Sequence, residues 1–146
     1  MVDRDKVEGL IRRLRQYTGY LRDIARLSQK EFLNNPMAIG SARYYLQVSI
    51  ECCIDMANHI IASENLRAPK DYKDTFKVLS EVSIIPDDFM LTMQAMARMR
   101  NMLVHLYWEV DDLMIYESIR TELDDFDTFV RYVMDFVDFP SGAEGQ

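Results

Sequence analysis

Residues 7–27 read VEGLIRRLRQYTGYLRDIARL. Within them Val7, Leu10, Leu14, Tyr17, Leu21, Ile24 and Leu27 recur every three or four positions, with Arg and Asp between them. Such spacing lays one apolar stripe along an α-helix and leaves the opposite face to water. A long amphipathic helix is therefore expected, and it needs other helices to cover the stripe. The rest of the chain supplies them. Asn34-Asn35-Pro36 closes the first segment and opens a second, because Asn caps a helix start and Pro suits its first turn. From Met37 to Ser63 a wide stripe follows, through Ile39, Ala42, Tyr45, Leu46, Ser49, Cys53, Met56 and Ile60.

Glu64 to Pro69 interrupts the pattern, and a short helix carrying Tyr72, Phe76, Leu79 and Val82 is expected before Pro86. Asp87 or Asp88 then caps a helix bearing Phe89, Met93, Met96, Met99, Leu103 and Val104. Asp111 and Asp112 mark the start of a last helix, with Leu113, Ile119, Leu123, Phe126, Val130, Val133 and Val137 on its buried face. The expected architecture is all-α, an up-and-down bundle of four long helices plus a short one. One domain over residues 1–139 and a disordered tail over 140–146 are the expected organisation.

Composition agrees with this outline. The chain has 146 residues, one domain's worth, and only 5 Gly and 4 Pro, too few for the many tight turns of a β-sandwich or barrel. Hydrophobic residues make up 49% and charged residues 28%, which disfavours both intrinsic disorder and a membrane bundle. The N-terminus lacks the apolar run of a secretory signal, and no stretch approaches the ~20 apolar residues of a membrane span, so the cytosol is the expected compartment. Cys52 and Cys53 are adjacent, which suits neither a staple nor zinc ligation and predicts buried free thiols. The ten Met residues read first as adaptable core filler. A net charge of -7 argues against a non-specific nucleic-acid coat, although one or two well-placed Arg residues still suffice to engage a single phosphate.

The chemistry is concentrated in Arg98-Met99-Arg100-Asn101-Met102-Leu103-Val104-His105-Leu106-Tyr107-Trp108. A guanidinium can hold and neutralise a phosphate, and an imidazole can take a proton from a 2′-hydroxyl or give one to a leaving oxygen near neutral pH. Asn101 precedes His105 by four residues, where its amide can fix one imidazole tautomer. Geometry raises an objection, because on one straight helix Arg100 and His105 lie about 140° apart while Arg100 and Tyr107 nearly eclipse. A long Arg side chain, a helix end near His105, or a symmetric dimer would each resolve it; the dimer is favoured, because two His and two Arg supply both an acid and a base.

Other candidates have plainer readings. Asp55 and His59 are spaced to share a metal, but two ligands do not make a site, and no metal or other cofactor is expected. Glu51 or Asp55 can pair with Arg100 across a helix contact and hold the guanidinium in place. Arg98 and Arg43 either widen a positive patch or lie on solvated helix faces. Trp108 can stack on a base, with packing in the core or a dimer interface preferred.

Arg100-Asn101-Met102-Leu103-Val104-His105-Leu106-Tyr107 has the form Arg, four residues, His, one residue, Tyr. Together with Glu51 to Ile61, and with Pro69, Tyr72, Phe76, Leu79, Ile84 and Ile85, it resembles the HepT-like branch of the HEPN superfamily. The resemblance implies a homodimeric, all-helical toxin of a toxin-antitoxin pair that cleaves RNA without a metal. It also implies that Arg100 stabilises the phosphate and His105 acts as general base or acid. Tyr107 would be the hydroxyl to which a cognate nucleotidyltransferase antitoxin, MntA, adds AMP. The alternative is a non-catalytic helical module that docks a nucleotidyltransferase or a nucleotide.

Overall fold

The computed structural model describes residues 1–138, so the expected tail over 140–146 lies outside the described residues. Seven α-helices are found among them: α1 (Arg4–Ile24), α2 (Gln29–Leu33), α3 (Pro36–Ser63), α4 (Tyr72–Glu81), α5 (Asp87–His105), α6 (Asp112–Thr121) and α7 (Asp124–Asp138). A single 3-10 turn, Tyr107–Glu109, joins α5 to α6. The α3 helix is the axis of the domain and touches each of the other six. Its buried residues run from Ala42 to Ile61, because a helix packed on several sides must be apolar over most of its circumference.

Local chemistry sets the helix starts. The Asp3 carboxylate caps α1 by accepting from the Lys6 amide, Asn35 caps α3 at Ala38, and Asp111 caps α6 at Leu113. Asp71 does the same for α4 at Asp74. At α5 the capping position belongs to Pro86, which makes no side-chain cap; Asp87 and Asp88 instead lie in the first turn, where the helix dipole favours negative charge.

Both α3 and α4 end in left-handed residues that are not glycine, Asn65 at φ 54° and Ser83 at φ 61°. In each case the next amide reaches back to close the helix, Leu66 to the Ile61 carbonyl and Ile84 to that of Leu79, both at 3.0 Å.

The count of helices departs from the expected four long and one short in two places. The first segment does not run unbroken to Asn34, because Ser28 and Glu31 form a reciprocal capping box that starts α2. That short helix buries Phe32, which packs on Tyr116 with ring centroids 5.2 Å apart. The Tyr116 hydroxyl donates to the Leu27 carbonyl at 2.7 Å and accepts from Arg120. The last segment is split at Glu122 and Leu123 into α6 and α7. There Arg22 of α1 binds Asp127 at 2.8 Å and Asp124 at 3.5 Å, holding the start of α7 against the end of α1.

The core is continuous and contains Phe76 against Phe129 edge-on at 5.7 Å. Cys52 and Cys53 are free and buried; burial pushes the Cys52 thiol up to about 11 and Cys53 well above its ordinary value. Met56 and Met93 are core residues, while Met96, Met99 and Met114 line a cleft of about 460 Å³ between α3, α5, α6 and α7. No helix among the described residues is long and apolar enough to cross a membrane.

His59 docks the N-terminus on α3. Its Nε2 accepts from the Asp3 amide at 2.9 Å, so this nitrogen is unprotonated, and the Met1 ammonium donates to the Ser63 carbonyl at 3.1 Å. Burial holds the imidazole pKa below its ordinary 6.5, with Lys6 adding to the effect, Asp3 opposing it and the terminal ammonium lowering it further. A base whose folded pKa is depressed contributes stability that is full above the unfolded value and is lost as pH falls through the folded one. The wild type is therefore expected to lose thermal stability below pH 6.5 more steeply than His59→Gln, whose amide oxygen still accepts. Parallel melting curves of the two proteins across that range would exclude this role.

Candidate functional site

Arg100 projects from α5 towards α3 and is largely covered, with 16% of its side chain exposed. Its Nε donates to Glu51 Oε2 at 2.8 Å, and Nη1 donates to the side-chain oxygen of Asn101 at 3.2 Å. The guanidinium also lies over the Tyr72 ring, 5.0 Å from the centroid. Glu51 is itself held by Gln47, whose Nε2 donates to the same Oε2 at 3.3 Å. The plane of the fork is thus fixed by a carboxylate, an amide and an aromatic face from three helices. Among the described residues Nη2 has no hydrogen-bond partner, so one edge of a fixed cation is available for an anionic oxygen.

Of the two carboxylates considered for Arg100, Glu51 makes the contact. Asp55, one turn further along α3, lines the groove between α1 and α3 with Lys6, Arg13 and His59. Burial raises the Asp55 pKa, with Glu51 adding to the shift and Lys6 and Arg13 opposing it. The pairing of Asp55 with His59 as metal ligands fits poorly, because the His59 Nε2 lone pair already accepts from the Asp3 amide.

His105 is the last residue of α5 and is exposed. Asn101 does not orient it: the Asn101 side-chain oxygen accepts from Arg100, and no hydrogen bond to the His105 ring is found among the described residues. Leu106, at φ -135° and ψ 39°, then takes the chain out of the helix. Because the helix stops there, the eclipsing of Arg100 with Tyr107 expected on a continuous helix does not arise. Tyr107 opens the 3-10 turn with 62% of its surface exposed, and Trp108 beside it is 65% exposed, with the rings edge-on at 5.2 Å. Trp108 is therefore not a core residue of this chain.

Two features escaped the sequence reading. Tyr72 was read as an apolar stripe position in a segment that resembles the family, with no contact to the motif, yet its ring covers Arg100. Arg43, read as part of a positive patch or a solvated face, is turned to the loop after α5: it binds Asp112 and the carbonyls of Tyr107 and Val110. Arg98 remains exposed on α5.

This arrangement places a fixed cation and an exposed imidazole on one helix, with a phenol on the turn that follows. The fold that carries it occurs in solved structures. The tri-AMPylated Shewanella oneidensis HEPN toxin in complex with MNT antitoxin matches with a TM-score of 0.84 at 23% identity, over 90% of this chain and 98% of that one. YutE from Bacillus subtilis, a cytosolic protein of unknown function, matches with a TM-score of 0.80 at 19% identity, over 94% and 92% of the two chains. At these identities the likeness defines an all-helical fold. Sequence carries the assignment further: the family described as Ribonuclease HepT-like matches residues 8–133, and the chain belongs to it. Among characterised relatives, the mRNA nuclease HepT of Shewanella oneidensis is 27% identical over 127 residues, 87% of this chain and 90% of that protein.

Proposed function

We propose that this chain is the toxin of a toxin-antitoxin pair and a metal-independent endoribonuclease, working as a homodimer and silenced by AMP addition to Tyr107. The observation that carries the reading is the state of Arg100, braced by Glu51, Asn101 and Tyr72 with its Nη2 edge open, on the same helix as an exposed His105. The family membership supports it, as do the relative named as an mRNA nuclease and the fold shared with an AMPylated toxin held by its antitoxin.

In this reading the scissile phosphate binds the open edge of Arg100. His105 removes the proton of the neighbouring 2′-hydroxyl, whose oxygen attacks phosphorus. The bond to the 5′-oxygen breaks, and that oxygen takes a proton from the second copy of His105 across the dimer. Arg100 meanwhile offsets the charge that builds on the non-bridging oxygens. The products are a 2′,3′-cyclic phosphate and a 5′-hydroxyl. AMP on Tyr107, two residues from His105, places a bulky anion where RNA must enter.

The test is cleavage of cellular RNA in EDTA by purified protein whose intact mass shows no added AMP. Cleavage there supports the enzyme. Its absence across transfer, messenger and ribosomal RNA would leave a module that docks a nucleotidyltransferase and cleaves nothing.

Glu51 offers a graded test of the brace. Glu51→Ala frees the Arg100 fork to rotate, and misplacement of a binding group by about 1 Å costs up to ~10²-fold in rate. Cleavage is expected to fall about tenfold, with Glu51→Gln closer to the wild type because its amide oxygen still accepts from Nε. Equal rates for wild type and Glu51→Ala would show that the ion pair has no part in placing Arg100.

A further inference from the structure

Arg43 belongs to α3, far in sequence from the motif, yet it makes the strongest set of contacts to the loop that follows His105. Nη1 donates to the Tyr107 carbonyl at 3.0 Å, and Nη2 to the Val110 carbonyl. Nε and Nη2 both donate to Asp112 Oδ1, at 3.1 and 2.7 Å. The three acceptors bracket the turn: its first residue, the residue just after it, and the first residue of α6.

Apart from the Leu106 amide, which donates to the Met102 carbonyl of α5 at 2.9 Å, the segment has few other ties. Internally it has the Glu109 amide on the Leu106 carbonyl at 2.8 Å and the Val110 amide on that of Tyr107 at 3.3 Å. Val110 is buried, but Leu106, Tyr107, Trp108 and Glu109 are all exposed, so side-chain packing fixes only the far end. A three-residue 3-10 turn has few internal hydrogen bonds, so contacts from outside weigh heavily in holding it. The planar guanidinium, with five donors in a rigid fork, reaches two carbonyls and a carboxylate at once; an ammonium acts as a single point.

We propose that Arg43 is a positioning residue of the ribonuclease site: from α3 it fixes the turn carrying Tyr107 and Trp108, and with it the end of α5 that presents His105. The inference rests on the ribonuclease reading for its kinetic consequence, but the clamp itself can be observed without RNA, because Trp108 is the single Trp of the chain. With excitation at the red edge of the Trp band, where Tyr does not absorb, fluorescence anisotropy and acrylamide quenching of the intact protein thus report on this turn.

The experiment compares wild type, Arg43→Gln, Arg43→Lys and Asp112→Asn. In Arg43→Gln, Trp108 anisotropy should drop and its quenching rise, and kcat for RNA cleavage should fall about tenfold or more with KM changed less than about twofold. Arg43→Lys should recover only part of the loss. Asp112→Asn keeps a side-chain oxygen that accepts from Arg43, and both carbonyl contacts, so its Trp108 anisotropy should lie closer to the wild type than that of Arg43→Gln. If Arg43→Gln keeps wild-type anisotropy, the clamp is overturned. If its kcat is unchanged, Arg43 serves only to join helices. A wild type that cleaves nothing refutes the ribonuclease reading separately, and the anisotropy comparison then still decides whether Arg43 fixes the turn.

Discussion

His105→Ala is expected to lower RNA cleavage by about 10² to 10⁴-fold, the usual contribution of a positioned acid or base, or roughly 2.7–5.5 kcal/mol of transition-state stabilisation. The fold should survive. His105 ends α5, is exposed, and has no hydrogen bond to its ring among the described residues, so truncating it opens no cavity and strands no buried partner. Circular dichroism and thermal melting should match the wild type while the rate collapses. A large loss of stability instead would make His105 a structural residue, and an unchanged rate would remove it from the chemistry.

Tyr107→Phe carries the second large effect, on control rather than on cleavage. The substitution removes the only atom of this side chain that can attack the α-phosphorus of ATP, so transfer of AMP to this position is lost entirely. The ring is exposed and the Arg43 contact is made to the backbone carbonyl, so the turn is expected to keep its place. With a nucleotidyltransferase partner and ATP present, the wild type should gain the mass of AMP and lose activity, whereas Tyr107→Phe should do neither. AMP found on the Phe variant, for example on exposed Tyr44, would place the regulated hydroxyl elsewhere.

Periodicity, with the scarcity of Gly and Pro, made the all-helical fold legible, because an apolar stripe every three or four residues survives whatever the loops do. The two helix breaks that it missed differ in kind. The start of α2 was written in the chain as Ser28 and Glu31, a capping box hidden by the hydrophobic run on either side. The split between α6 and α7 has no Pro or Gly to mark it; the Glu122 and Leu123 carbonyls accept from Asp125 and Phe126 in a turn whose place only the packed fold reveals.

At the site, sequence spacing brought Arg100, His105 and Tyr107 into view but assigned Asn101 to the wrong neighbour, since which of two groups an amide binds is decided by rotamer and not by helical phase. Glu51 was reachable because carboxylate and guanidinium attract across a helix contact, and of the two candidates one turn apart only the fold could select it. Arg43 was read as part of a positive patch or a solvated face and Tyr72 as a stripe position of a resembling segment; their contacts to the Tyr107 carbonyl and to Arg100 were not legible, because each reaches a segment distant in sequence through packing alone.

The most direct test of the central claim is the chemistry of the RNA ends produced in EDTA. Purified, unmodified protein should leave 2′,3′-cyclic phosphate, or the 2′- or 3′-phosphate formed by its hydrolysis, together with 5′-hydroxyl ends, and none of these should form with His105→Ala. Cleavage that appears only when a divalent metal is restored, leaving 5′-phosphate and 3′-hydroxyl ends, and that persists in His105→Ala, would contradict the account.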